Sequence, residues 1–216
     1  MTRNAVIAGA SGLVGGRCLH HLLEHPEVAR VTALVRRPLP LTHPKLEQRT
    51  VAFPDVLEAI PKDVDDAFCA LGTTMKKAGS REAFLAVDRD AVLGFARSCR
   101  ERGARRFVLV SSLGADPRSM NFYLRVKGEV ERDITALGFE TVHILRPSVL
   151  DGERPESRPA ERLSISVLRK VGGVFPGFKY APIHVDVVGK AMVKLALSDD
   201  RGATVHESTA LHTLGG

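Results

Sequence analysis

The sequence predicts an α/β fold, a doubly wound, mostly parallel sheet with helices on both faces and a small C-terminal appendage. Three observations predict it. Short apolar runs alternate with longer stretches of helical period along most of the chain. The runs are mostly continuously apolar, which marks strands covered on both faces, hence parallel strands joined by helical crossovers. A glycine-rich turn follows the first run and opens the first helix.

The first strand is Asn4–Ala8, ended by Gly9. From Leu13 to Leu23 the apolar residues Leu13, Val14, Cys18, Leu19, Leu22 and Leu23 share one helical face, and Pro26 stops the helix. Val31–Val35 is the second strand, and Arg49–Phe53 a weaker third. Ala67–Leu71 is the fourth, closed by Gly72. Ser80 to Arg102 reads as one long helix with the stripe Phe84, Val87, Ala91, Phe95 and Cys99, an N-cap at Ser80 and a stop at Gly103. Phe107–Val110 is the fifth strand and runs into Ser111-Ser112. A helix over Asn121–Leu137 ends at Gly138, and Thr141–Leu145 is the sixth strand. Asp151 to Pro159 is polar and rich in breakers, hence a loop, with a short helix over Ala160–Lys170 ended by Gly172-Gly173. Asp186–Leu197 is the last long helix, with Asp186 as its cap. Residues 1–216 are expected to form a single domain, in which about 151–182 are a loop and helix on the ligand side of the sheet.

The 216 residues are 44% hydrophobic, which suits one globular core, and 26% charged, which argues against wholesale disorder. The net charge is +6, but the basic residues are scattered in short pairs such as Arg36-Arg37, Lys76-Lys77 and Arg105-Arg106. With two tyrosines and no tryptophan there is little to stack on bases, so no nucleic-acid partner is expected. No apolar run approaches the ~20 residues of a membrane helix. The N-terminus lacks a secretory h-region. No membrane association and a cytoplasmic location are therefore expected. Cys18, Cys69 and Cys99 lie in apolar stretches without close spacing and read as reduced packing residues. The eight histidines, including His20-His21 and His184, show no metal-ligand spacing, and no metal is expected.

Gly9-Ala10-Ser11-Gly12-Leu13-Val14-Gly15 is a G-x-x-G-x-x-G turn between strand and helix. Glycine is needed there because a Cβ blocks backbone approach to a pyrophosphate; the first-turn N–H groups then face the anion. A ligand-free tight turn competes with this reading, but the strand-before, helix-after context favours a dinucleotide. No Gly-Lys-Ser/Thr follows, which excludes a Walker-type loop. Arg36 and Arg37 stand at the tip of the second strand, where such folds meet the adenosine ribose, and Leu34–Leu41 holds no acid. An acid there accepts from a 2′-OH; an arginine pairs with a 2′-phosphate. The expected cofactor is NADP, with NADPH preferred over NADH. Either arginine can hold the phosphate while the other stacks on adenine.

Tyr123-Leu124-Arg125-Val126-Lys127 places Y-x-x-x-K on one helix face. An ammonium beside a phenol favours the phenolate, and such a tyrosine exchanges a proton with a carbonyl or alcohol while hydride moves. Ser111 and Ser112 end the fifth strand, where a hydroxyl holds the substrate oxygen. Both are candidates, with Ser112 preferred. Lys76-Lys77 reads as a solvated loop, and Phe175, Phe178 and Tyr180 as pocket lining or as packing.

Together the Gly9–Gly15 turn, Ser111-Ser112, Tyr123 with Lys127, and Arg146-Pro147-Ser148 resemble the short-chain dehydrogenase/reductase superfamily. More narrowly, the chain resembles its atypical branch typified by the Tat-interacting oxidoreductase family. The words that carry this are Leu71-Gly72-Thr73-Thr74, Lys77-Ala78-Gly79, Val87-Asp88-Arg89-Asp90, Val126-Lys127-Gly128-Glu129-Val130-Glu131 and Glu156-Ser157-Arg158-Pro159, within about residues 5 to 190. The resemblance implies an NAD(P)-binding Rossmann fold. It implies that Ser11, Gly12, Leu13 and Val14 touch the pyrophosphate, that Arg36 and Arg37 take the 2′-phosphate end, and that Leu71 and Gly72 line the adenine or ribose. It makes Tyr123 the proton donor and acceptor and Lys127 the holder of the nicotinamide ribose, with Leu150 and Arg158 closing over the cofactor. Two features depart from the pattern: Asp88 replaces the superfamily's helix asparagine, and the Ser112-to-Tyr123 spacing is short.

The expected activity is NADP(H)-dependent hydride transfer to or from a small-molecule carbonyl or alcohol substrate. The alternatives are an NADPH-binding regulatory or interaction protein with little turnover, and a sugar-nucleotide epimerase- or dehydratase-like enzyme. The sequence leaves the oligomeric state open.

Overall fold

Seven parallel strands in the order β3-β2-β1-β4-β5-β6-β9 form the central sheet of the protein, seen in a computed structural model that describes residues 2–152 and 181–216. The strands are β1 (Arg3–Ala8), β2 (Val28–Val35), β3 (Leu46–Thr50), β4 (Asp66–Cys69), β5 (Arg106–Val110), β6 (Thr141–Arg146) and β9 (Gly202–Glu207). A separate two-residue parallel pair joins β7 (Leu150–Asp151) to β8 (Ile183–His184). The helices are α1 (Leu13–Glu24), α2 (Met75–Ala78), α3 (Arg81–Leu85), α4 (Val92–Glu101), α5 (Phe122–Thr135), α6 (Val185–Ala196) and α7 (Ser208–Gly215).

Both faces of the sheet are buried, which is why its strands read as unbroken apolar runs. Along β1, Ala5 and Ile7 face a core shared with Leu19 of α1 and Met192 of α6. Val6 and Ala8 face the opposite core, with Phe95 of α4, Phe107 of β5 and Ile134 of α5. Each of these large side chains is fully or nearly fully buried, and each such burial contributes about 1.5–3 kcal/mol. Cys18, Cys69 and Cys99 are free and buried within these cores.

β1 pairs with β2 on one side and with β4 on the other. Consecutive crossovers therefore leave β1 in opposite directions, and a crevice opens beyond the C-terminal ends of β1 and β4.

Several boundaries differ from those the sequence predicts. The third strand is Leu46–Thr50 instead of Arg49–Phe53: β3 takes its register from Val31–Val35 of β2, and Pro54 follows too closely for a ladder downstream. A seventh strand, β9, and the helix α7 have no counterpart in the expected elements; β9 is an exposed edge strand without a strong apolar pattern. The long helix expected over Ser80–Arg102 runs without a break from α3 through a π-helical turn over Ala86–Ala91 into α4. Asp88, one helical turn beyond Phe84, is buried, and the expected Val87 is only partly so. His184, not Asp186, caps α6: the His184 ring accepts the Asp186 N–H at 3.3 Å. The Asp186 carboxylate turns instead to His21 Nε2, 3.1 Å away. The expected helix Ala160–Lys170, its Gly172-Gly173 stop, and Arg158, Phe175, Phe178 and Tyr180 lie outside the described residues.

Candidate cofactor cleft and active site

The crevice holds a cleft of about 470 Å³, within the range of small-molecule sites. Four segments meet in it. Ser11, Gly12, Leu13 and Val14 come from the turn after β1, and Leu71 to Thr74 from the loop after β4; Ser111 comes from the end of β5, and Tyr123 and Lys127 from α5. Leu150 of β7 and Lys77 of α2 line its rim.

The turn has no room for side chains. Gly9 has φ +91°, and a Cβ there would lie 2.5 Å from the Ala70 carbonyl carbon and oxygen. A Cβ on Gly15 would overlap the Gly9 carbonyl. These two glycines shape the turn from behind and do not line the cleft, whereas Gly12 does. Gly12 is the N-cap of α1 and provides no side-chain bond, and the first turn carries no acid. The N–H groups at that end therefore lack side-chain acceptors, and the α1 dipole favours an anion in front of them. Bare backbone, uncapped donors and volume together fit the diphosphate of a dinucleotide.

Deeper in the cleft, Lys127 and Asp88 form a buried ion pair, Nζ to Oδ1 2.7 Å, with side-chain exposures of 8% and 0%. Asp88 Oδ2 accepts the Thr73 N–H at 2.7 Å, which ties the loop after β4 to the π turn. Burial pulls the Lys127 ammonium toward its neutral form. The Asp88 carboxylate, through its charge and its hydrogen bond, and Tyr123 and Cys69 together outweigh that, so the pKa lies above that of an ordinary lysine. The Tyr123 ring rests against Phe84, centroids 5.6 Å apart, and Lys127 Nζ lies 6.0 Å from the Tyr123 ring centroid. Gly72 covers the pair: a Cβ there would meet Asp88 Oδ1 at 3.4 Å and Lys127 Nζ at 3.6 Å.

The structure separates the two serines. Ser111 is buried and lines the cleft, and its hydroxyl has no hydrogen-bond partner among the described residues. Ser112 is outside the lining, and its hydroxyl donates to the Leu113 carbonyl at 3.4 Å. Of the two, the structure brings Ser111 and not the preferred Ser112 to the cleft. Lys77, expected in a solvated loop, lies on the rim within α2. Arg36 and Arg37 are exposed beyond the end of β2 and do not line the cleft. Sequence reasoning marks Asp88 only as a departure and misses its partner; the signal is a lone acid on an otherwise apolar helix face.

A family profile described as NAD(P)H-binding matches residues 9–172. The chain is 39% identical over 205 residues to "Protein FMP52, mitochondrial" of Eremothecium gossypii, spanning 92% of this chain and 90% of that protein. It is 35% identical over 209 residues to the protein of the same name from Saccharomyces cerevisiae, spanning 90% and 88%. Among solved structures it resembles MoeE5 in complex with UDP-glucose and NAD, with a TM-score of 0.72 at 21% identity over 94% of this chain and 74% of that one. It also resembles the UDP-N-acetylglucosamine 4-epimerase of Methanobrevibacter ruminantium M1, with a TM-score of 0.70 at 17% identity over 95% and 76%. At these identities the structural likeness is one of fold alone. The expectation of a cytoplasmic protein is corrected by the relatives' names, which say mitochondrial.

Proposed function

The chain belongs to the NAD(P)H-binding family within the atypical short-chain dehydrogenase/reductases, and from that premise we propose that it is an NADP(H)-dependent oxidoreductase acting on a small carbonyl or alcohol. The observation that carries this reading is the convergence of the bare Gly12 turn, the unpartnered Ser111 hydroxyl, Tyr123 and Lys127 on one cleft. The coenzyme supplies or accepts the hydride. The α1 N–H groups hold its diphosphate, and Arg36 or Arg37 reaches its 2′-phosphate from the β2 tip. Lys127 holds the ribose next to the nicotinamide. Ser111 donates to the substrate oxygen, and Tyr123 gives that oxygen its proton or takes it back. Leu71, Gly72 and Leu150 line the same cleft.

Tyr123→Phe tests the reading. The variant is expected to lose turnover across a panel of aldehydes, ketones and quinones while keeping NADPH affinity within about threefold, since the ring still packs on Phe84. Wild-type turnover in that variant overturns the assignment of Tyr123. Calorimetry showing no uptake of any nicotinamide coenzyme by folded protein overturns the whole.

A further inference from the structure

Asp88 carries a carboxylate on the inward face of its helix, and the structure gives that charge a use. Its carboxylate is in contact with the Lys127 ammonium, fully buried, and held in place by the Thr73 N–H. The titratable groups that act on Lys127 are Asp88 from the π turn, Tyr123 beside it on α5 and Cys69 from β4, and Lys77 from α2 lines the same cleft. Burial pushes the Cys69 thiol up to about 12, so it brings no charge at neutral pH. Lys77 belongs to the exposed rim. The charge beside the Tyr123 phenol is therefore set by the Asp88–Lys127 pair. An ammonium draws a phenol toward phenolate through its field, and a carboxylate in contact with that ammonium cancels most of the field a few ångströms away.

We propose that Asp88 is a positioning residue that neutralises Lys127 at the phenol and so keeps the Tyr123 hydroxyl able to donate a proton up to higher pH than a lone ammonium would allow. This rests on the oxidoreductase reading above. In reduction the carbonyl carbon accepts the hydride of NADPH and the carbonyl oxygen takes the Tyr123 hydroxyl proton. The coenzyme C–H bond, the phenol O–H bond and the C=O π bond break, a C–H and an O–H bond form, NADP⁺ and an alcohol leave, and a solvent proton restores the phenol. Alcohol oxidation is the same step reversed and needs the phenolate, so the Asp88 charge moves the pH limits of both directions together. Asn at this position keeps an acceptor for Thr73 and nearly the same volume but removes the charge.

The chain's two tyrosines are Tyr123 and Tyr180, and it has no tryptophan. In a Tyr180→Phe background, near-ultraviolet tyrosinate absorbance therefore reports Tyr123 alone. Titrated without coenzyme, Asp88→Asn is expected to develop tyrosinate at lower pH than the parent, and Lys127→Met at higher pH. Circular dichroism along the titration checks that each variant stays folded, and Lys127→Met carries the test if Asp88→Asn does not fold. Coincident curves, or the reverse order, overturn the inference. With NADPH and phenanthrenequinone as probes, Asp88→Asn should lose reduction at lower pH than the parent. Absent coenzyme binding or turnover sinks the oxidoreductase reading and leaves the tyrosinate order to be judged by itself. Intact turnover with coincident titrations sinks only the role of Asp88.

Discussion

A Cβ on Gly15 would occupy the position of the Gly9 carbonyl oxygen, so the first turn of α1 sits directly on the turn that precedes it. Its neighbour Gly16 has far more room, since a Cβ there would lie 3.4 Å from the Ala10 carbonyl oxygen. Gly15→Ala must push the turn open. It is expected to cost about 1–3 kcal/mol of stability, as overpacking does, and to weaken NADPH binding at least tenfold. Gly16→Ala should be neutral or stabilising by up to about 1 kcal/mol, from helix propensity alone. Urea unfolding and calorimetry on the two variants check both. Equal effects at both positions refute the assignment of the clash to Gly15.

Much of this is legible in the sequence because it is local. The Gly9–Gly15 turn, the Tyr123/Lys127 pair and the Leu71-Gly72 strand end are each defined within a few residues, and a parallel sheet carries strand ends to one edge. What is not legible depends on register or on distant partners. Asp88 shares the buried face with Phe84, but its partner Lys127 stands on another helix, and no spacing within one helix announces that contact. Ser111 and Ser112 alternate sides at a strand end, so a one-residue ambiguity in where β5 stops exchanges their roles. β9 gains its place from pairing with β6, while its own residues are largely exposed and its pattern weak. His184 caps α6 because the chain arrives extended from β8, which composition alone does not reveal.

The serines give a second test. Ser111 Oγ is buried and has no partner among the described residues, and a buried hydroxyl left so is costly unless a ligand oxygen completes it. Ser111→Ala should therefore lower kcat/KM on a reducible carbonyl probe about 10²–10³-fold, in the range of other oxyanion donors, with NADPH affinity unchanged. Ser112→Ala should stay within about threefold of wild type, because its hydroxyl bonds to a carbonyl outside the cleft. The opposite ranking would return the role to Ser112.

Arg36 and Arg37 make no hydrogen bond or ion pair with another described residue and are exposed at the β2 tip. Their removal should hardly alter stability. A guanidinium–phosphate bond contributes about 1.5–3 kcal/mol, so replacing both with alanine should weaken NADPH binding by tenfold or more and leave NADH binding nearly unchanged. Arg36→Ala alone should fall between wild type and the double variant. Competition of the two coenzymes for the same protein measures the ratio, and an unaltered ratio in the double variant removes the 2′-phosphate role from both residues.

The His143–His206 pair links β6 to the edge strand and gives stability a pH dependence of defined sign. His143 is fully buried, its Nδ1 3.0 Å from His206 Nε2. Burial first, and His206 second, push its pKa down to about 4 from 6.5. The folded protein thus resists protonation at His143 while the unfolded chain accepts it. The contribution is full above 6.5 and is lost as pH falls from 6.5 to about 4. Asp66, pushed up to about 6 by burial, works in the opposite sense between 3.8 and 6. His143→Leu leaves Asp66 in place, so the difference in slope between the two proteins isolates the histidine. Urea unfolding free energies across this window should decline less steeply with acid in His143→Leu than in wild type, with a residual slope from His206, whose pKa burial also lowers. Parallel slopes would mean that His143 is protonated as readily in the folded protein as in the unfolded chain, and would contradict the buried neutral pair.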